Sequence, residues 1–144
     1  MSFSICAQIF RSQDFATFDR NIAWKLFEPF ARAAPICGWD LYDGDRFFGT
    51  LSLDHTPEVD GVGINRPGEK AFELLYELAL QAGLLIYWDG RGVVTDPKFI
   101  DELPRFLVEA FTWIKVVRNW QQITNSIVNG DPEDDTPLNL TKRR

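Results

Sequence analysis

Apolar and polar residues alternate over positions 3 to 10, FSICAQIF, which places Phe3, Ile5, Ala7 and Ile9 on one face of a strand. From 14 to 28 the period lengthens. Phe15, Phe18, Ile22 and Leu26 recur three and four apart, the spacing that lines one side of a helix. Pro29 has no N–H for the helical ladder, so a kink or restart is expected there before Pro35 ends the segment. Between Gly38 and Arg66 the pattern is β-like, with strands expected near 39–42, 46–53 and 59–64, the first two joined by a tight turn at Asp43-Gly44. A second helix is expected from about Pro67, with Ala71, Leu74, Leu75, Leu78 and Ala82 as its buried stripe. Gly83 is placed to end it in the left-handed conformation.

Residues 84 to 97, LLIYWDGRGVVTDP, admit two readings. A phosphate-cradling loop needs its glycines between a strand and a helix, so that helix amides point into the loop. Here Val93-Val94 follows, a strand signal. The hairpin reading is favoured, with strands over 84–88 and 92–95 and Asp89-Gly90 at the centre of a type I′ turn. Arg91 is then a solvated cross-strand partner, or an exposed fork for a carboxylate. Asp96-Pro97 caps a short helical segment that Pro104 interrupts. Beyond it Phe106, Leu107, Ala110, Phe111, Ile114, Val117, Trp120, Ile123 and Ile127 keep helical spacing and predict one helix over 104–128. FTWIKVV nevertheless holds enough β-formers to be a strand instead. In the helical reading Trp113 and Trp120, seven apart, share a face and fill the core. Asn129-Gly130 stops the helix, and residues 131–144, DPEDDTPLNLTKRR, read as a solvated tail.

The order is strand, helix, three strands, helix, two strands, helix. It predicts an α+β fold: a single domain over 1–130, built on a mostly antiparallel sheet with about three helices packed on one face. At 144 residues one core is expected, sufficient to bury about 68 to 70% of the unfolded surface. The composition, 45% apolar and 25% charged, is that of a globular chain. Five Trp and twelve Phe exceed what such a core needs, so some rings are free to face a partner.

Charge narrows the choice of partner. The formal net charge is −6, and no cluster of five or more Lys and Arg exists, which argues against nucleic acid as a direct ligand. The first ten residues lack the basic start of a signal peptide, and no apolar run approaches the length that spans a bilayer, so a cytoplasmic chain with no membrane partner is expected. Cys6 and Cys37, without Cys-x-x-Cys spacing, are expected as small buried hydrophobes rather than a disulfide.

Little points to catalysis. His55, the one histidine, could act as a base with Asp54 or Glu58, but the chain has no Gly-x-Ser-x-Gly elbow or reactive-cysteine context to supply a nucleophile. One histidine and two cysteines cannot build a zinc site, and DLYDGD at 40–45 fails the calcium-loop spacing, because the twelfth position counted from Asp40 as the first is Leu51. No catalytic residue, metal or cofactor is assigned. What stands out is asymmetry: between Gly38 and Asp60 six acids (Asp40, Asp43, Asp45, Asp54, Glu58, Asp60) face Arg46 alone. Trp39, Tyr42, Phe47 and Phe48 interleave with them. Aromatic anchors among charges of one sign suit a surface that steers and binds a basic protein partner, joined by Asp89 and Arg91 if the hairpin turn lies on the same side. The alternative is a small enzyme or small-ligand-binding domain with His55 and nearby carboxylates in a pocket. The sequence does not separate a monomer from a homodimer.

The stretch AFELLYELALQAGLLIYWDGRGVVTDP, residues 71 to 97, resembles the helix, glycine, strand and turn unit of small bacterial α+β proteins, among them acidic immunity proteins that neutralise a cognate toxin. The resemblance covers under a fifth of the chain and transfers no residue roles. It implies a cytoplasmic antidote that docks on a toxin domain and blocks its active site, through the acidic surface where that site is basic.

Overall fold

The computed structural model describes residues 3–129. The first strand is β1 (Ser4–Gln8), with Ile5 and Ala7 buried and Ser4, Cys6 and Gln8 turned the other way. A small hairpin follows, β2 (Phe10–Arg11) with β3 (Asp14–Phe15). Its turn residues Ser12 and Gln13 both have positive φ. After β4 (Phe18–Asp19) comes α1 (Arg20–Phe27), whose N-cap Asp19 accepts the amide of Asn21. The helix expected from residue 14 therefore begins at 20, because the apolar residues at 15 and 18 belong to strand pairs. As expected, the helix does not pass Pro29 intact: a 3₁₀ turn over Glu28–Phe30 hands the chain to β5 (Ala31–Ala33).

The next strands are β6 (Trp39–Asp43), β7 (Arg46–Ser52), β8 (Glu58–Val59) and β9 (Gly61–Asn65). Then α2 (Glu69–Ala82) buries Ala71, Leu74, Leu75 and Leu78 as its periodicity predicts. Each fully buried leucine contributes about 1.5–3 kcal/mol of transfer free energy. Gly83 ends α2 at φ 70. The hairpin β10 (Leu85–Trp88) and β11 (Arg91–Val94) turns through Asp89 (φ 46) and Gly90 (φ 73), the two positive φ values of a type I′ turn.

The long helix expected over 104–128 is three elements: α3 (Arg105–Ala110), β12 (Trp113–Val116) and α4 (Trp120–Asn129). β12 lies parallel to β11, with Gly92 opposite Ile114, and both Trp113 and Ile114 are fully buried on opposite faces of the sheet. A helix here would bury only one of them. Trp113 and Trp120 consequently sit on different elements. The residues expected as a tail, 131–144, lie outside the described residues.

Eight strands form one sheet in the order β12-β11-β10-β1-β9-β7-β6-β5, antiparallel except for β11 with β12. This is the α+β domain expected. Helices α1, α2 and α4 cover one face, where Phe27, Leu75, Leu78 and Ile123 meet Ile5, Leu41, Leu51, Ile64, Ile86 and Trp113. The opposite face is covered at one end. There Phe10, Ile100, Leu103 and Val108 pack on Leu85, Val94 and Ile114, so α3 and the turn before it lie across β10 to β12. Over the remaining strands no described element covers that face, referred to below as the bare face.

Candidate functional site

Strand register decides what the bare face presents. Arg32 stands opposite Asp40, Asp40 opposite Thr50, Thr50 opposite Asn65 and Asn65 opposite Ser4, so one row across five strands is wholly polar. The row is knitted: Thr50 Oγ1 donates to Asp40 Oδ1 at 3.0 Å and Ser4 Oγ donates to Asn65 Oδ1. Beside it, Arg32 stacks on the Tyr42 ring at 4.2 Å, Tyr42 meets Phe47 edge-on, and Arg66 lies over Phe47. Aromatic rings here are roofed by guanidinium groups, which keeps them wet at the edge and apolar beneath.

The next row on the same face runs Ser52, Gly63, Cys6, Tyr87, Gly92. Two of its members have no side chain: Gly92 lies beneath the Phe111 ring, and Gly63 helps to floor a trench of about 230 Å³. Cys6, Gln8, Ser52, Asp54, Asp60 and Tyr87 are among the residues that line it. Tyr87 marks the boundary between bare and covered sheet, since its ring packs against Phe111 of the covering segment at 5.8 Å. Its hydroxyl donates to Gln8 Oε1 at 3.2 Å.

Electrostatics in the trench run one way. Partial burial, then the neighbouring Cys6 and Asp60, push the Tyr87 phenol up to about 12. Burial likewise raises the Cys6 thiol, partly opposed by its hydrogen bond with Tyr87. Both groups are neutral at pH 7, so the charge in the trench is that of Asp54 and Asp60. Among the described residues neither carboxylate has a hydrogen bond or an ion pair; the contact of Arg20 is with the backbone carbonyl of Asp54.

The residues singled out in the sequence divide between two ends of the sheet. Asp43 and Asp45 flank the β6–β7 turn at one end; Asp54, His55, Glu58 and Asp60 lie at the other, beyond Ser52. The turn with Asp89 and Arg91 shares the end of Asp43, but β1 and β9 stand between the two hairpins. A single acidic patch over 38–60 plus the hairpin turn is thus not what the fold builds. Asp40 and Tyr42 lie on the bare face and Asp54 and Asp60 reach its trench.

Four expectations change. Arg91 is half-buried, and its guanidinium donates to the Asp89 carbonyl at 2.8 Å rather than standing in solvent. Phe48 is core, edge-on to Phe30, because a register shift after Leu41 turns it inward. Trp39 stacks with Trp24 on the helical side, 5.0 Å between ring centres, and with His55 at 5.3 Å. Cys37 is exposed at the loop between β5 and β6, so only Cys6 is partly sheltered.

His55 is exposed and does not line the trench. Glu58 carries out a local task, accepting from the Thr17 hydroxyl. Sequence reasoning missed Cys6, Gln8, Ser52, Gly63 and Tyr87, which come from four strands and meet only through register. Among the described residues no group of three or more His, Cys, Asp or Glu is placed to hold a metal ion. No described helix is long and apolar enough to cross a membrane. Compared with family models, curated proteins and solved structures, the chain finds no match in any of the three.

Proposed function

We propose that this chain is a non-enzymatic protein-binding module that docks a basic partner on the bare half of its sheet, in the manner of an acidic immunity protein blocking a cognate bacterial toxin in the cytoplasm. One observation carries the reading: a sheet face that no described element covers over five strands, presenting Asp40, Tyr42, Thr50, Ser52 and Asn65 at its surface and, at its end, two carboxylates unpaired among the described residues. Such a face offers preformed hydrogen-bonding rows with little ordering to be lost on binding. The net charge of −6 steers a basic partner toward it. The His55 ring is engaged with Trp39 and does not line the trench, which weighs against the enzyme alternative.

The test is capture by the tagged chain in cells that carry the gene, followed by affinity measurement on the purified pair. Charge reversal at Asp40 and Asp54 is expected to weaken the pair by at least tenfold, about 1.4 kcal/mol, whereas reversal at Asp101, on the covered side, leaves it unchanged. Equal affinity across all three variants sinks the reading.

A further inference from the structure

Gly63 lies in the middle of β9 with nothing in the fold that requires a glycine. Its φ is not in the left-handed region, and a Cβ there would meet Cys6 Sγ at 3.8 Å and Ser52 Cβ at 4.0 Å, ordinary contact distances. Glycine in a strand interior costs stability and marks a place where something approaches the backbone closely. The hollow is the trench floor, flanked by the Tyr87 ring and by acceptors: Gln8 Oε1, Ser52 and the carboxylates of Asp54 and Asp60.

We infer that this trench is the socket for an arginine side chain of the protein partner, its guanidinium held by Asp54 and Asp60 and its stem lying over Gly63 beside the Tyr87 ring. This deepens the proposed docking face and rests on it. Charge favours a cation, because among the described residues neither carboxylate is paired. Geometry favours a guanidinium, whose planar fork bonds a carboxylate through two parallel N–H groups and stacks on an aromatic face.

The probe is N-acetyl-arginine amide, titrated into the full chain with amide chemical shifts as the readout and N-acetyl-citrulline amide, its neutral isostere, as control. Saturable shifts confined to Cys6, Gly61, Gly63 and Tyr87, absent with citrulline, are the expected result. Asp60→Asn should weaken them at least fivefold, and Gly63→Val, which fills the floor, should abolish them. Gly63→Ala serves as the second variant if valine perturbs the strand. Shifts spread equally to the turn with Asp43 and Asp45, the same response to citrulline, or no saturation overturn the socket. An overturned socket with partner affinity still sensitive to Asp40 and Asp54 removes only the arginine. Insensitivity at both Asp40 and Asp54 removes the face as well.

Discussion

Arg11 closes the end of a helix that lies more than seventy residues away in sequence: its Nη2 donates to the Ala82 carbonyl at 2.7 Å and its Nη1 to the Gly83 carbonyl at 3.0 Å. The last carbonyls of a helix lack partners within it, and α2 has no basic residue in its final turn to supply them. The same guanidinium lies over the Phe99 ring at 5.2 Å, so it ties the C-terminus of α2 to the segment covering β10 to β12. Arg11→Ala is expected to cost about 1.5–3 kcal/mol, the range for hydrogen bonds from a charged donor. Lysine, a point donor without the fork, should recover less than half of it. A shift in urea midpoint at constant slope would show both.

Gly83 is fixed from two sides. Its φ of 70 costs an L-residue about 1–2 kcal/mol, and a Cβ would lie 2.5 Å from a Phe99 ring atom and 2.7 Å from Arg11 Nη2. Gly83→Ala is therefore expected to destabilise by about 2 kcal/mol or more. Combined with Arg11→Ala the loss should be less than additive, since removal of the guanidinium clears one of the two clashes. Strict additivity in a double-mutant cycle would show that the clash is not felt.

Both features explain what could be read in the chain. Gly83 and Asp89-Gly90 are local signals, and the elements they bound were legible, as was the stripe of α2. The failures come from pairings that sequence does not announce. Ser12 and Gln13 make a positive-φ turn without the usual Asn or Gly, which hides the hairpin before α1. Residues 111–117 keep helical spacing, yet Thr112 donates its amide to the Gly90 carbonyl and Val117 to Val94, which draws β12 alongside β11. Tertiary pairing overrides local period there. The trench was illegible for the same reason, because only register brings Ser52, Gly63, Cys6 and Tyr87 into one row.

The trench makes stability depend on pH at the alkaline end. Tyr87 keeps its proton in the folded chain up to about 12, above the ordinary value of about 10. The folded state then binds more protons than the unfolded one across this window, so its contribution is complete below pH 10 and is lost as pH rises toward 12. Cys6, also raised, acts in the same direction from its lower starting point. Lys115 opposes them: burial lowers its pKa, so its penalty fades as pH rises toward its unfolded value. Urea midpoints between pH 8 and 11.5 should fall, and Tyr87→Phe should flatten the fall. An unchanged slope in the variant would remove Tyr87 as the cause.

Binding surfaces differ from cores in the sign of substitutions that complete them. At Gly63 the strand loses conformational entropy and gains no side-chain packing, so Gly63→Ala should stabilise by about 0.5–1 kcal/mol with only ordinary contacts to Cys6 and Ser52. Two residues earlier on the same face, Gly61→Ala should do the reverse, because its Cβ would fall within 2.2 Å of the Ala7 carbonyl oxygen. Asp54 and Asp60, unpaired among the described residues, belong with Gly63: neutralising either should leave the urea midpoint unchanged or raise it. If the arginine socket is what holds these three positions, each substitution that leaves stability unharmed must weaken N-acetyl-arginine amide binding. Gly63→Ala that is stabilised and still binds as tightly as wild type would show that the hollow serves no ligand.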